Sequence, residues 1–182
     1  MVRIFELDLR AFPPRFEWQP IFYPVLLEDY AIQIARDWNT GDAASGFAGY
    51  VTAFRVDSEY LQKFTVQVVG AEDLHQELWI PAEELDEFNA HILEEVRVTR
   101  SFFGPQFQGY IPDSGIFAGL DARAQWDLLT QDVDLDPSQD PLSVMLHLRF
   151  WETLGGIDPA TRDRLRQSLS AATGYKSSTI SW

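Results

Sequence analysis

Apolar positions change their spacing near residue 26, from a continuous run to a helical repeat. Residues 21–25 form a short apolar run, which predicts a strand. Beyond it, apolar residues recur at Leu27, Tyr30, Ala31, Ile34, Ala35 and Trp38. This spacing predicts an amphipathic helix with one face on a core. Gly41 follows where the end of a helix favours a residue that is free to adopt φ > 0.

Alternating apolar and polar positions predict more strands on both sides of this helix. The segments with this period are residues 1–9, 47–56, 64–69, 78–80 and 96–102. A two-residue period is typical of half-buried strands. Because the strands and helices do not alternate as a regular βαβ repeat, the pattern favours an α+β fold. We expect a mainly antiparallel sheet, whole or split, with helices packed on it.

Two further helices are predicted between these strands. Asp57 or Ser58 is a suitable N-cap for one helical turn that ends near residue 63. Pro81 suits the first turn of a second helix, because that position needs no backbone N–H donor. The apolar stripe of this second helix consists of Leu85, Phe88 and Ile92.

The chain divides near residue 103. Residues 1–102 carry the α+β pattern, and residues 103–120 form a turn-rich connection with several glycines and prolines. Residues 121–182 are predicted to be a helical region packed on the core, and its first helix is predicted over residues 121–131. Within it, residues 141–154 are apolar on nearly all sides, so that helix is either buried in the chain or covered by a partner.

A third helix of this region is predicted to follow Asp158 and Pro159, which suit its N-cap and first position. Leu165 and Leu169 would face inward, and Gly174 would end the helix. The acids Asp132, Asp134 and Asp136 stand at the spacing that opens a calcium loop. Pro137 occupies the place of the required glycine, so we interpret them as loop acids and helix caps.

Composition narrows the classes of protein that fit. The chain has 182 residues, a net charge of -14 and no cysteine. Disulfides and thiolate metal sites are therefore excluded, and we expect no metal site. The acidic charge argues against nucleic-acid binding, because phosphates would repel the protein. No apolar run reaches about 20 residues and no signal peptide is evident, so we expect a cytoplasmic protein without a membrane segment.

The stretch that best suits a catalytic or ligand-binding role is His75-Gln76-Glu77, where a polar loop enters an apolar strand. A glutamate at the edge of a strand can reach into a cleft while the strand fixes its position. Such a carboxylate could accept a hydrogen bond from a ribose hydroxyl or stabilise positive charge on a sugar carbon. The alternative is a surface loop before an edge strand. The other histidines, His91 and His147, have no metal-ligand spacing and are interpreted as structural or solvated.

Three stretches resemble a known family. They are residues 20–40, residues 49–52 (Gly-Tyr-Val-Thr) and residues 75–85, which begin His-Gln-Glu-Leu-Trp-Ile-Pro. Together they resemble small uncharacterised bacterial proteins that carry the label "ADP-ribosylation/crystallin". Their arrangement is also similar to the wider ADP-ribosyltransferase fold. The resemblance covers roughly residues 11–100 and leaves out the helical C-terminal region.

The resemblance implies that NAD is a substrate held between two small sheets, in a domain that is active or degenerate. Glu77 would be the catalytic glutamate, with His75 two residues before it. Gln76 and Tyr23 would bind NAD, and Arg3 would be the basic residue of the first strand. Tyr23 stands where the family has a small polar or aromatic residue, although the surrounding residues lack its serine and threonine character.

A second hypothesis comes from a different class of protein. The net charge of -14 and the apolar segment 141–154 also suit a non-enzymatic interaction protein, such as an inhibitor or an immunity-type partner. A complementary basic surface on another protein would then be the ligand.

Overall fold

The computed structural model describes residues 1–132, 134–155 and 158–173. Within this part of the chain, the strands form three separate two-stranded sheets, all antiparallel. The strands are β1 Ile21–Phe22, β2 Ala48–Ala53, β3 Val66–Val68, β4 Gln76–Leu78, β5 Ile80–Pro81 and β6 Arg97–Phe103. β1 pairs with β5, β2 with β6 and β3 with β4. The predicted α+β class with a split antiparallel sheet is confirmed.

Seven α-helices accompany these strands in the described part of the chain. They are α1 Val2–Phe5, α2 Glu28–Gln33, α3 Ser58–Leu61, α4 Leu85–Ala90, α5 Ala122–Gln131, α6 Pro141–Thr153 and α7 Pro159–Thr173. The last three form the predicted helical C-terminal region. Among the described residues, we find no helix with the length and apolarity needed to cross a bilayer.

The prediction of a strand over residues 1–9 is wrong. Residues Val2–Phe5 form one turn of helix, and Arg3 therefore lies on a helix and not on a first strand. Val2, Phe5 and Leu9 are also three and four residues apart, which is the period of a helical face. Leu9 is buried among the C-terminal helices, and Val2 and Phe5 pack against the same cluster.

Helix α2 begins as predicted but changes its geometry halfway. It continues directly as a π-helix over Ile34–Trp38 and then as a 3₁₀ turn over Asn39–Gly41. The wider turn of a π-helix shifts the residues that follow it around the axis. Trp38, predicted on the buried face, is therefore 54% exposed. Gly46 and Phe47 follow the turns in the left-handed conformation, with φ of 65° and 57°, whereas Gly41 does not adopt it.

The π-helical segment lies directly on strand β2. A Cβ atom added at Gly49 would stand 2.0 Å from the backbone oxygen of Ala35, which is shorter than any real contact. Ala35 is itself buried. Only a glycine at position 49 lets the two backbones approach this closely.

The smaller elements differ in detail from the sequence predictions. The Asp57 side chain caps α3 as predicted, by accepting hydrogen bonds from the backbone N–H groups of residues 59 and 60. Pro81 belongs to β5 and precedes a 3₁₀ turn, so it does not start α4 directly. In β3, the side chains of Val66 and Val68 are exposed, although their pattern predicted a buried face.

Two hydrophobic clusters form the interior. One contains Phe12, Leu78, Ile80, Leu85, Phe88 and Val96 and holds β4, β5 and α4 together. The other surrounds Trp151 and is made largely of C-terminal helices. Helix α6 is buried along most of its length by α5, α7 and β6 of the same chain, which explains its apolar character on nearly all sides. Of the predictions for α7, the cap by Asp158 is confirmed, and the end at Gly174 lies outside the described residues.

Candidate functional site

Strand β4 holds Glu77 between two neighbouring segments. On one side β3 pairs with it, and Gln67 stands opposite Glu77. On the other side, the backbone N–H of Leu78 donates to the carbonyl oxygen of Pro24 at 2.9 Å, and that of Leu26 donates to Gln76 at 3.0 Å. The chain that leads into α2 therefore acts as a third strand, which fixes Glu77 beneath the helix.

The Glu77 carboxylate is buried and hydrogen-bonded through both of its oxygens. The hydroxyl of Tyr30 donates to Oε1 at 2.8 Å, and the indole N–H of Trp79 donates to Oε2 at 2.9 Å. Glu77 is only 9% exposed. Within the described residues, none of the ion pairs includes it. The carboxylate is thus satisfied by two neutral aromatic donors.

Burial and the neighbouring carboxylate both affect Tyr30. Desolvation, then the hydrogen bond to Glu77 and its negative charge, raise the pKa of Tyr30 to about 12. The phenol therefore keeps its proton throughout the physiological range and remains a donor to Glu77. A stable donor at this position holds the carboxylate in one orientation.

Aromatic rings continue on both sides of the carboxylate and form what we call the aromatic row: Tyr23, Trp79, Tyr30 and Trp38. The Tyr23 and Trp79 rings are perpendicular, with centroids 6.1 Å apart. The Tyr30 and Trp38 rings are also nearly perpendicular, at 6.4 Å. Tyr23 and Trp79 are 47% and 45% exposed. The row therefore places three half-exposed aromatic side chains next to the buried carboxylate.

His75 supports this site from the side. Its Nδ1 accepts a hydrogen bond from the backbone N–H of Ala71, so its Nε2 carries the proton and donates to Oε1 of Gln33 at 2.9 Å. The imidazole ring also lies 4.7 Å from the Tyr30 ring, centroid to centroid. His75 touches Tyr30 and α2, which is a supporting position next to Glu77.

The other predicted site residues lie as follows. The Gln76 side chain turns back to donate to the carbonyl oxygen of Glu72 at 2.8 Å. The Tyr23 ring contacts the Trp79 ring, and Trp79 donates a hydrogen bond to Glu77. The Arg3 guanidinium lies over the Phe16 ring, 5.6 Å from its centroid, and not at Glu77. The structure therefore brings Tyr23, His75 and Glu77 into one cluster, with Arg3 on a different element.

Sequence reasoning missed two residues of this cluster, Tyr30 and Trp79. Both have polar atoms that usually find a partner when they are buried. The sequence pattern places Tyr30 on the buried face of a helix, and Trp79 stands two residues after a glutamate. Both positions favour a polar partner for the side chain, and this is the signal that could have identified the two residues. The distance of 47 positions between Tyr30 and Glu77 hid the pairing.

An apolar cleft lies beside this cluster, between residues 24–28 and the β2–β6 sheet. Its volume is about 350 Å³. Val25, Leu26, Val51 and Leu78 line it, together with the hydroxyl-bearing residues Thr52 and Thr99. An adjoining cavity of about 180 Å³ shares several of these walls.

His147 in the C-terminal region is fully buried but carries no free polar atom. Its Nε2 accepts from the Tyr110 backbone N–H at 2.8 Å, so Nδ1 holds the proton and donates to Gln125 at 2.8 Å. Gln125 in turn donates to the carbonyl oxygens of Tyr110 and Leu120. Desolvation lowers the pKa of His147 to about 4. This network fastens the connection 108–122 onto α5 and α6 and is structural.

No match was found when the chain was compared with models of protein families, with curated proteins and with solved structures. Among the described residues, no three His, Cys, Asp or Glu side chains come together in a way that could hold a metal ion.

Replacing Tyr30 by phenylalanine is expected to lower the free energy of unfolding by about 1–3 kcal/mol, because Oε1 of a buried carboxylate loses its partner. Urea denaturation at pH 7 measures this change. Tyr23→Phe is the matched control, since its ring is half-exposed, and we expect a change within about 0.5 kcal/mol. Equal effects of the two substitutions would show that the Tyr30–Glu77 hydrogen bond contributes nothing.

Proposed function

We propose that this protein binds an organic cation on the aromatic row above Glu77, and that the nicotinamide end of NAD is the first ligand to test. The observation that carries the proposal is the Glu77 carboxylate, which is buried, held by two neutral donors and in no ion pair among the described residues. A buried charge is costly unless an opposite charge accompanies it. A cationic ligand would provide that charge.

The aromatic row suits such a ligand. A cation is attracted to the face of an aromatic ring, most strongly to tryptophan. Trp79 and Tyr23 are perpendicular and half-exposed, and Trp79 also contacts the carboxylate. The oxidised nicotinamide ring is flat and positively charged, so it could stack on these rings while Glu77 acts through its charge.

The geometry favours binding over turnover. A catalytic glutamate in an ADP-ribosyl transfer must reach the ribose next to the nicotinamide. Here both carboxylate oxygens already accept hydrogen bonds, and Glu77 is nearly enclosed. We therefore propose a recognition domain in which Glu77 contributes charge, corresponding to the degenerate form of an ADP-ribosyltransferase-like site.

The decisive experiment compares NAD⁺ with NADH, which differ at the nicotinamide ring by one positive charge. We expect millimolar NAD⁺ to raise the thermal midpoint. A ligand at 100 times its dissociation constant adds about 2.7 kcal/mol to the free energy of unfolding. NADH should give a clearly smaller shift. Release of free nicotinamide, followed by chromatography, reports turnover separately from binding.

Matched variants assign the effect to Glu77. Glu77→Gln should remove the preference for NAD⁺ over NADH, because it removes the negative charge. Glu83→Gln changes the net charge equally at an exposed position and should leave the preference intact. Since Glu77→Gln also disturbs a hydrogen bond, Trp79→Leu serves as a second test of the same ring surface. An unmodified protein that shows no shift with NAD⁺ would remove the support for NAD as the ligand.

The variant Arg3→Ala tests whether the protein also binds the pyrophosphate of NAD. If Arg3 grips a phosphate, Arg3→Ala should weaken NAD⁺ but leave nicotinamide mononucleotide binding less affected. If the site recognises only the cationic ring, Arg3→Ala should change neither. Its position over Phe16 favours the second result.

An acidic interaction protein is the second candidate, and the net charge of -14 favours it. A basic partner would present lysine or arginine side chains, which are organic cations, to the same aromatic row. Helix α6 gives this candidate no support, because the chain itself covers that helix. An arginine-rich peptide that competes with NAD⁺, and whose affinity falls steeply with salt, would favour this candidate.

A further inference from the structure

The apolar cleft beside residues 24–28 holds a feature that neither Glu77 nor the aromatic row explains. Thr99 is one of the residues that line the cleft. Its hydroxyl oxygen is buried and has no hydrogen-bond partner. Most buried hydroxyls are paired, so a hydroxyl left without a partner in the wall of a cleft requires an explanation.

A β-bulge places Thr99 in this wall. Val51 pairs with Arg100 and Thr52 pairs with Val98, so Thr99 is an extra residue in β6 with no partner on β2. Bulges redirect side chains and occur often beside binding sites. Rotation about χ1 exchanges the hydroxyl and methyl group of a threonine. Because Thr99 lines the cleft, such a rotation is the movement that would bring its hydroxyl to a ligand there.

The other residues of the cleft indicate which kind of ligand would contact the Thr99 hydroxyl. Its surroundings are mainly aliphatic and aromatic, with Glu28 at one side. Glu28 is half-exposed and only loosely paired with Arg100, at 3.9 Å. Its carboxylate disfavours an anionic ligand, and the apolar walls disfavour any charged one.

The size of the cleft sets the size of the ligand. A cavity of about 150 Å³ accommodates benzene. This cleft has a volume of about 350 Å³, near the lower end of the range for small-molecule sites. It therefore has room for one ring with a short substituent.

We propose that the cleft is a binding site for a neutral, apolar small molecule with a single carbonyl oxygen, which accepts a hydrogen bond from the Thr99 hydroxyl. The apolar body fills the space between residues 24–28 and β2, and the carbonyl oxygen supplies the missing partner of Thr99. This site is separate from the cation surface and does not depend on NAD binding.

The test uses two probes of nearly equal shape, acetophenone and ethylbenzene. Binding is measured by titration while the methyl NMR signals of Val25, Leu26, Val51 and Leu78 are followed. Thr99→Val keeps the shape of the side chain but removes the donor. We expect it to weaken acetophenone about tenfold, or roughly 1.4 kcal/mol, and to change ethylbenzene by less than about twofold.

Two further variants complete the design. Thr52→Val removes the second lining hydroxyl and should leave both dissociation constants nearly unchanged. Ala31→Leu places a larger apolar side chain in the cleft and should weaken both probes. Thr99→Val removes an unpaired hydroxyl, so the thermal midpoint of this variant should be no lower than that of the wild type. The probe affinities of the two proteins can then be compared directly.

Three results would overturn the proposal. In the first, neither probe shifts the methyl signals of the cleft. In the second, Thr99→Val weakens acetophenone no more than ethylbenzene. In the third, Thr52→Val and not Thr99→Val removes the preference. A tenfold, ketone-specific loss in Thr99→Val alone supports it.

Discussion

Replacing Gly49 by alanine is expected to destabilise the protein by about 3 kcal/mol or more. The added Cβ would stand 2.0 Å from the backbone oxygen of Ala35, and a backbone atom cannot move aside as the end of a flexible side chain can. Relief of the clash must lift the π-helical segment off β2. Urea denaturation at pH 7 measures the loss.

Gly41→Ala is the matched control for this substitution. Gly41 ends a 3₁₀ turn near the same helix, and a Cβ atom there would meet nothing within 4 Å. Alanine at this position should be neutral or stabilise the fold by up to about 1 kcal/mol, because it restricts the unfolded chain. A loss below about 1 kcal/mol in Gly49→Ala would show that the helix and the strand are not in fixed contact.

The second large effect is the dependence of stability on pH through His147. Burial lowers the pKa of His147 to about 4 in the folded protein, from 6.5 in the unfolded chain. The unfolded state therefore binds the extra proton first as the pH falls. The stabilisation is complete above pH 6.5 and is lost between pH 6.5 and about 4. The difference corresponds to roughly 3 kcal/mol.

Protonation has a direct structural meaning at this residue. Nε2 of His147 accepts the Tyr110 N–H, so a proton on Nε2 would place two donors against each other. The carboxylate of Asp121 opposes part of the effect of burial, because its charge favours the protonated ring. The neutral ring is nevertheless preferred, since desolvation is the larger cause.

The measurement compares the wild type with His147→Gln over pH 4 to 7.5. Both proteins contain many carboxylates that also titrate, so only the difference between the two stability curves isolates His147. The wild type should lose stability more steeply as the pH falls, by up to about 1.4 kcal/mol per pH unit. His91→Gln serves as a control for removal of a histidine. Parallel curves for the wild type and His147→Gln would contradict the assigned pKa.

The sequence pattern predicted the helical elements best. Helices α5, α6 and α7 have long periodic or apolar stretches and clear caps, and their bounds are close to the predicted ones. The first residues were harder, because Val2, Phe5 and Leu9 fit a helical period as well as an alternating one. Packing against the C-terminal cluster decided between the two, and that contact is remote in sequence.

The candidate site was predictable only where its parts are neighbours in the chain. His75 and Glu77 come together because Glu77 lies in β4 and His75 directly precedes that strand. The pairing of Glu77 with Tyr30 and the bulge at Thr99 depend on the register between distant strands and helices. The pattern of one segment does not specify which distant segment it contacts, so neither feature could be derived from the sequence pattern.

Residues 24–26 have a consequence for how the two proposed sites would act together. Their backbone is hydrogen-bonded to the strand that carries Glu77, and their side chains line the apolar cleft. These hydrogen bonds hold the segment in place without any ligand, so each ligand would meet a wall that is already formed. A cleft ligand that displaced this wall would also displace the strand that carries Glu77. Thermodynamic reciprocity then requires the cation to change the affinity for the cleft ligand by the same factor.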